Sequence, residues 1–378
     1  MIPVSVFAAA ASFALGLILQ RVVLRLAHRR KWYDTPNRRK IHTGLIPRLG
    51  GPGILISFAA AAVLASALSS VLGAGRFDQR FALRFLFPLG GLLLMHGVGL
   101  YDDFRNLRAL FKFSLHLLAA AIVAGGGFLI RTLTVPYLGV VSLGVVAYPL
   151  TVIWIVAITN AINLIDGMDG LAGGIAAFAV LAMGVIAFLQ GAGTTALLCF
   201  SLFGAIAAFL AFNLPPAKLF MGDSGSYMLG FTIAVLPLIG GISKAAAFGT
   251  LMVPITLLTV PIVDTGLAIL RRLRHKRSIV SPDKEHVHHK LLALGLSERQ
   301  ILTVIYAFSA YLGVVSISSV VLPKEIDVYL IAVVWAGSLF ATWLLYIVGV
   351  RNRTAARQEA ETKDSSSSDS SRALPRSG

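Results

Sequence analysis

The chain has 378 residues, of which 57% are hydrophobic and only 13% are charged. Soluble globular proteins carry about one quarter charged residues, so this composition excludes an ordinary soluble enzyme and favours a chain that lies mostly in lipid. The net charge of +16 would by itself also suit a nucleic-acid-binding protein. The single cysteine, Cys199, excludes a disulfide framework and a thiolate metal site.

Apolar runs of near membrane-spanning length recur along the chain and predict an all-α, polytopic transmembrane helix bundle of about 11 spans. The predicted spans are 2–27, 50–74, 85–101, 113–130, 139–157, 171–190, 195–212, 227–243, 245–270, 301–322 and 326–350. Arginines follow the first run and none precede it, which favours a retained helix over a cleaved signal peptide. Residues 1–350 are predicted to form one membrane domain, and the polar 351–378 a disordered cytoplasmic tail.

The distribution of basic residues predicts the orientation of this bundle. The connections after the odd-numbered spans hold most of the 33 Lys and Arg residues, and basic loops stay in the cytoplasm. We therefore expect an N-out, C-in protein of the inner (cytoplasmic) membrane. Because the positive charge is explained this way and no nucleic-acid recognition fold is visible, no nucleic acid is expected as a partner. Five unusual polar blocks fall on the same side and predict one site facing the cytoplasm.

Two adjacent carboxylates, Asp102 and Asp103, end the third predicted span. Carboxylates at a membrane face are costly unless water or a metal surrounds them. A solvated acidic pair is one interpretation. The other is a cation or acid–base site, because Mg²⁺ prefers oxygen ligands that it shares with substrate phosphates.

The block NAINLIDGMDG places Asn163, Asp166 and Asp169 at three-residue spacing. On a helix this spacing would bring the three side chains to one face. Gly167 and Gly170 would allow a ligand to approach the backbone closely. Capping of a helix start explains one of these polar residues, but not all three.

The block FMGDSGS places Asp223 between glycines, with Ser224 and Ser226 at the start of a predicted helix. Such a turn resembles an anion-binding helix start that also offers a carboxylate to a cation. The tetrapeptide GDSG fits an ordinary turn equally well. Asn213, at the end of the seventh span, is interpreted either as a substrate contact or as a structural cap.

Histidines and cations make up the remaining candidates. His286, His288 and His289 lie in a strongly basic loop, which favours a cationic pocket for pyrophosphate over a zinc site without cysteine. The other candidate cations are Arg38, Arg39, Lys40, His42, Arg48 and Lys112. A solvated patch next to the membrane is the alternative for these. His96 and His116 are expected to be satisfied inside the bundle.

Carboxylates, a divalent cation and cationic clamps together are typical of phosphoryl-group transfer, where catalysis is mostly positioning and charge neutralisation. A site at the membrane surface further predicts one lipid-borne and one cytosolic substrate. The alternative is a polytopic transporter or lipid flippase, but those proteins carry their ionisable residues near the bilayer midplane. Here the predicted spans are nearly free of such residues.

Five strings carry a resemblance to a known family: DTPNRRKIHTGLIPRLGG, GLYDD, NAINLIDGMDGLAGG, FNLPPAKLFMGDSGS and DKEHVHHKLLALGLS. In this order they resemble the polyprenyl-phosphate N-acetylhexosamine-1-phosphate transferase family over nearly the whole chain. The HVHH string and the upstream PNRRKIH block look like the bacterial undecaprenyl-phosphate branch that uses UDP-N-acetylglucosamine. One departure is His116, which stands where a glutamine often occurs.

The resemblance implies transfer of an N-acetylhexosamine-1-phosphate, most simply that of GlcNAc, from a UDP-sugar to polyprenyl phosphate with release of UMP. It implies Mg²⁺, with Mn²⁺ as a substitute, held by Asp223 and Asn163. The implied catalytic residues are Asp102, Asp103, Asp166 and Asp169. The implied substrate-binding residues are Arg48, Lys112, Asn213, His286, His288 and His289. Whether the enzyme is a homodimer is left open.

Overall fold

The protein is a bundle of long helices in a computed structural model, which describes residues 2–33, 45–72, 79–135, 139–239, 255–274, 291–292, 295–322, 333 and 336–337. Its main helices are α1 (Ile2–Arg30), α2 (Gly50–Val71), α3 (Gln79–Arg105), α4 (Ala109–Gly125), α5 (Ala147–Ile165), α6 (Leu171–Leu189), α7 (Gly193–Asn213), α8 (Gly222–Ile239), α9 (Thr259–Arg274) and α10 (Glu298–Val321). Strands β1 (Thr132–Val135) and β2 (Gly139–Ser142) form an antiparallel hairpin between α4 and α5.

Seven helices within the described residues are long and apolar enough to cross a membrane. Their outer surfaces carry large apolar side chains such as Val63, Ile153 and Val314, which are 69%, 63% and 63% exposed. Lipid accepts such side chains without the penalty that water would impose. The chain is therefore a multi-pass membrane protein. All but three residues of the eleventh predicted span, and the whole tail, lie outside the described residues, so the count of eleven and the N-out, C-in orientation stay predictions.

Helix α8 occupies the centre of the bundle. Nearly all of its side chains are buried, and it packs mainly between α3 and α5, with α2 beside it. A helix that is apolar on every face is stable only when other helices surround it, which explains this position. Helices α1, α2 and α7 pack together on one flank, and α6 packs between α7 and α10.

The fifth predicted span is misplaced. Residues 139–142 form β2, because they pair with β1 from Thr132↔Ser142 to Val135↔Gly139, and the helix begins only at Ala147. Helix α5 continues to Ile165, so Asn163 lies in its last turn. The prediction that Asn163, Asp166 and Asp169 share one helix face is therefore wrong, since the helix has ended before the two aspartates.

Candidate active site

The polar blocks meet at one end of the bundle. Residues from the first four blocks contact one another there through α2, α3, α5, α7 and α8. Of the fifth block, Arg299 donates a hydrogen bond to the Pro215 carbonyl (3.3 Å). The fifth block's His286, His288 and His289, and the cations Arg38, Arg39, Lys40 and His42, lie outside the described residues.

The starts of α2 and α8 are joined by backbone hydrogen bonds. The N–H groups of Gly50 and Gly51 donate to the carbonyls of Phe220 (2.9 Å) and Met221 (3.0 Å). The Phe220 N–H returns a bond of 2.8 Å to the Pro47 carbonyl. These bonds satisfy main-chain groups that a helix start leaves without partners, and they fix the chain entering α8 against the chain entering α2.

Glycines let two helices approach the first turn of α8. A Cβ atom on Gly51 of α2 would lie 2.5 Å from the Gly225 nitrogen, and one on Gly99 of α3 would lie 2.5 Å from the Ser224 nitrogen. Both distances are too short for a side chain, so only glycine permits these contacts. The helix that carries Asp223 is thus held by backbone from both sides.

Asp103 caps the start of α8. Its Oδ1 accepts a hydrogen bond from the Asp223 N–H (2.7 Å), and its Oδ2 accepts one from the Ser224 N–H (3.1 Å). The sequence predicted an anion at this helix start, and the anion is the chain's own carboxylate. In the protein alone these two N–H groups are therefore already bonded to Asp103.

Asp102, the residue before Asp103, is buried. Its carboxylate accepts hydrogen bonds from the Lys112 ammonium (2.6 Å), the Leu107 N–H (2.6 Å) and the Tyr227 hydroxyl (3.3 Å). The short bond to Lys112 is charge-assisted, which makes it one of the stronger kinds of hydrogen bond. Lys112 remains partly exposed, so the pair presents a cation to the open end of the bundle.

Asp223 lies between an amide and a cation. The Asn163 amide nitrogen donates to the Asp223 carboxylate (3.0 Å) and to the Ser226 hydroxyl (2.9 Å). The Arg48 guanidinium lies 3.8 Å from the same carboxylate. Asn163 therefore contacts Asp223 through its nitrogen, and its carbonyl oxygen is the atom it could offer to a cation.

Asp166 follows the last residue of α5 and is partly exposed. Burial by surrounding protein raises the pKa of its carboxyl to about 7, against the opposing effect of Arg48. The negative charges of Asp223, Asp103 and Asp169 add to the increase. A bound cation would favour the ionised form of such a carboxyl.

Asp169 and Asn213 connect the loop before α6 with the segment after α7 through hydrogen bonds to main-chain groups. The Asp169 carboxylate accepts a hydrogen bond from the Ala217 N–H (2.9 Å). The Asn213 side chain accepts one from the Gly170 N–H (2.9 Å) and donates one to the Leu219 carbonyl (2.9 Å). Of the two interpretations of Asn213, this geometry favours the structural one.

Sequence reasoning missed two hydroxyl groups of this end of the bundle: those of Tyr227 and Tyr306. The Tyr306 hydroxyl of α10 donates to the Gly170 carbonyl (2.6 Å) and so ties α10 to the loop after α5. A tyrosine in an apolar helix needs a hydrogen-bond partner when buried, and this signal could have drawn attention to Tyr227. It could not have named Asp102, which lies 125 residues away in the chain.

The two intramembrane histidines differ. His96 is satisfied as predicted, since its Nδ1 lies 3.3 Å from the Ser224 carbonyl. His116 is buried and its Nδ1 lies 3.4 Å from the Asn160 amide, but its Nε2 has no partner among the described residues. The prediction therefore holds fully for His96 and only partly for His116.

The oxygen atoms near Asp223 suit Mg²⁺, which needs few protein ligands, better than a metal that must be surrounded by protein side chains. Within the described residues, no three His, Cys, Asp or Glu side chains converge as a metal site. Mg²⁺ usually takes one or two protein carboxylates and keeps waters and substrate phosphates as its other ligands. The oxygens of Asp223, Asp166 and Asn163 fit that mode.

The sequence is similar to known proteins over most of its length. The family model described as "Glycosyl transferase family 4" matches residues 85–241. A Bacillus subtilis protein named probable undecaprenyl-phosphate N-acetylglucosaminyl 1-phosphate transferase is 38% identical over 332 residues, which cover 88% of this chain and 86% of that protein.

The chain belongs to glycosyl transferase family 4.

Two further relatives place it more closely within that family. A decaprenyl-phosphate N-acetylglucosaminephosphotransferase of Mycolicibacterium smegmatis is 35% identical over 292 residues, covering 72% of this chain and 71% of that protein. An undecaprenyl-phosphate alpha-N-acetylglucosaminyl 1-phosphate transferase of Escherichia coli K12 is 29% identical over 310 residues, covering 77% and 78%. The resemblance drawn from the motifs is thereby confirmed, and the chain is a transferase of this family.

The family match covers most of the candidate site. The candidate residues within it are Asp102, Asp103, Lys112, Asn163, Asp166, Asp169, Asn213 and Asp223. Arg48 and the three histidines of the HVHH block lie outside the matched range. The structure nevertheless places Arg48 beside Asp223. The candidate site therefore includes a residue from outside the range that the family model matches.

Proposed function

We propose that the protein transfers N-acetylglucosamine-1-phosphate from UDP-N-acetylglucosamine to undecaprenyl phosphate and releases UMP. The observation that carries the proposal is the 38% identity, over 88% of the chain, to a Bacillus subtilis relative named for this kind of transfer. The end of the bundle supports it, because carboxylates and cations meet there in the combination that phosphoryl transfer requires.

The charges near the site suit two phosphorylated substrates. Lys112 and Arg48 are partly exposed cations beside Asp102 and Asp223. Each can attract a phosphate while its carboxylate partner keeps it oriented. We assign Lys112 to the lipid phosphate and Arg48 to the pyrophosphate of the nucleotide sugar.

We further propose that Asp223, with Asp166 and the Asn163 oxygen, holds Mg²⁺, for which Mn²⁺ can substitute. When bound, the ion would neutralise charge on the pyrophosphate oxygens and on the departing UMP. In the protein alone, Asn163 already orients the Asp223 carboxylate by donating to it. An asparagine in this role keeps the carboxylate in place without adding negative charge.

The transfer is proposed to be direct. An oxygen of the lipid phosphate attacks the β-phosphorus of the UDP-sugar, and the bond from that phosphorus to the oxygen bridging to UMP breaks. A phosphate monoester has a second pKa of about 6, so most of it is already dianionic near neutral pH and a general base adds little. Asp102 then acts mainly by holding Lys112 against the attacking phosphate.

The active site is proposed to face the cytoplasm. Lys218 is exposed at the site end of α7, and Thr194 lies at its opposite end. In intact cells, a cysteine at Thr194 should react with a membrane-impermeant thiol reagent and a cysteine at Lys218 should not. The native Cys199 is buried and leaves a low background. Labelling of the Lys218 variant from outside would overturn the proposed orientation.

The reaction itself is tested with purified protein, undecaprenyl phosphate, Mg²⁺ and a panel of UDP-sugars, with UMP release as the measurement. We expect UMP from UDP-N-acetylglucosamine and far less from UDP-MurNAc-pentapeptide. A preference for the pentapeptide substrate, or for a sugar without the 2-acetamido group, would contradict the assigned donor.

A further inference from the structure

The neighbouring aspartates of α3 have different kinds of partner. Asp102 meets the side chains of Lys112 and Tyr227 as well as the Leu107 N–H, whereas Asp103 accepts its hydrogen bonds from the main-chain N–H groups that begin α8. Successive residues on a helix point about 100° apart, so the pair cannot face the same space. The Asp102 carboxylate meets the Lys112 ammonium and the Tyr227 hydroxyl, and the Asp103 carboxylate meets the first main-chain amides of α8.

The start of α8 needs a partner from elsewhere in the chain. The two residues before Gly222 are Phe220 and Met221, and neither side chain can accept the capping hydrogen bonds that the first turn requires. The carboxylate of Asp103 accepts two of them, at 2.7 and 3.1 Å. Its negative charge also interacts favourably with the positive end of the helix dipole.

The contact is built into the backbone of both helices. Gly99 lies one turn before Asp103 on α3, and any side chain there would overlap the main chain of Asp223 and Ser224. The close approach brings the Asp103 carboxylate within hydrogen-bond distance of those amides. Both carboxylate oxygens are engaged, so neither is presented to a phosphate.

We propose that Asp103 is a positioning residue: it fixes the first turn of α8, and with it the Asp223 carboxylate, and it does not contact the reacting phosphates. This inference rests on the proposed function, because it assigns Asp223 to the reaction and Asp103 to its support. It gives different roles to Asp102 and Asp103, which the sequence analysis described as one pair of carboxylates.

Amide hydrogen exchange of the full-length protein in detergent provides the first test. Asp103→Asn keeps the size of the side chain and one carbonyl oxygen, but it can no longer accept both bonds. We expect the peptide covering residues 220–228 to exchange at least about tenfold faster in Asp103→Asn. Asp102→Asn, one residue earlier, also loses a partner in this peptide, but that partner is the Tyr227 hydroxyl and not a main-chain amide, so it should change the peptide's exchange by less than about twofold. Unchanged exchange in Asp103→Asn would overturn the proposal.

Kinetics provide the second test. A displaced Asp223 should weaken the metal, so Asp103→Asn is expected to raise the Mg²⁺ concentration for half-maximal rate about tenfold and to recover most of kcat at saturating Mg²⁺. Asp102→Asn should lower kcat even at saturating Mg²⁺, because Lys112 loses the carboxylate that orients it. If Asp103→Asn instead loses kcat at every Mg²⁺ concentration while exchange is normal, Asp103 contacts the reactants and the proposal is wrong.

The outcomes separate this inference from the proposed function. A wild-type protein that releases no UMP from any UDP-sugar would contradict the proposed function, while the exchange difference between the two variants would still test the cap. If Asp103→Asn fails to fold while Asp102→Asn folds, the result would support the proposal that Asp103 holds the first turn of α8 in place.

Discussion

Two sides of the same site use identical residue types in different ways. On the α8 side, Asp102, Asp166 and Asp223 face cations, hydroxyls or open space. On the α6 side, Asp169 and Asn213 bond to main-chain groups of neighbouring loops. The partner therefore indicates the role: a carboxylate beside a partly exposed Lys or Arg can share that cation with a ligand, whereas one whose only partner is the backbone holds the fold. The predictions below test this division.

The largest effect is expected on the α8 side at Asp223. Asp223→Ala removes the proposed metal ligand and should lower the rate of UMP release by on the order of 1,000-fold. The variant should still elute as a folded membrane protein, since the Asp103 cap uses the main chain of residue 223 and not its side chain. A chelator should abolish wild-type activity and added Mg²⁺ should restore it. Full activity in excess chelator would contradict the metal assignment.

Asp102→Asn should cost about 100-fold in kcat, because Lys112 loses the carboxylate that orients it. An orienting group is needed at every pH, so the loss should persist when the assay is moved from about pH 7 to about pH 9. The pH profile of kcat measures this. Near-complete recovery in alkali would show that Asp102 is instead a general base.

The raised pKa of Asp166 predicts a pH dependence. With a pKa of about 7 in the protein alone, the carboxyl is neutral below that pH and ionised above it. If the ionised form is needed, kcat/KM at low Mg²⁺ should fall about tenfold between pH 8 and pH 6. Higher Mg²⁺ should move the midpoint to lower pH, because a cation favours the carboxylate. A midpoint independent of Mg²⁺ would place the metal away from Asp166.

The smallest effect on activity is expected on the α6 side. Asp169→Asn keeps one acceptor for the Ala217 N–H but loses the charge, so unfolding should become easier by about 1 kcal/mol while activity changes only a few-fold. The matched variant Asp166→Asn, three residues earlier, should show the opposite pattern in the same assays. Loss of activity in Asp169→Asn without any loss of thermal stability would give Asp169 a chemical role.

Local sequence patterns predicted much of this arrangement. Hydrophobic run lengths predicted α1, α2, α6 and α7 to within a few residues, since span length is set by the thickness of the membrane. The location of the polar blocks on one predicted side of the membrane indicated one site, and described residues of the first four blocks do contact one another. The start of α8 at the GDSGS string was also predicted correctly.

What could not be predicted depends on contacts between distant parts of the chain. Periodicity does not reveal that Asp103 meets the amide of Asp223, 120 residues later, or that Asn213 bonds to Gly170. The hairpin before α5 was missed because its short valine-rich strands resemble the start of an apolar span. That error moved the end of α5 and produced the mistaken helix face for Asn163, Asp166 and Asp169.

The backbone bonds between the starts of α2 and α8 also bear on how the protein is made. Gly50 and Phe220 are separated by roughly 170 residues, which a ribosome adds in on the order of ten to thirty seconds. During that time α2 is already in the membrane, and the partner for its first turn does not yet exist. A chain that ends before α8 therefore lacks both the carboxylate proposed to bind Mg²⁺ and the segment that closes the site, so prematurely terminated chains should be inactive and not partly active.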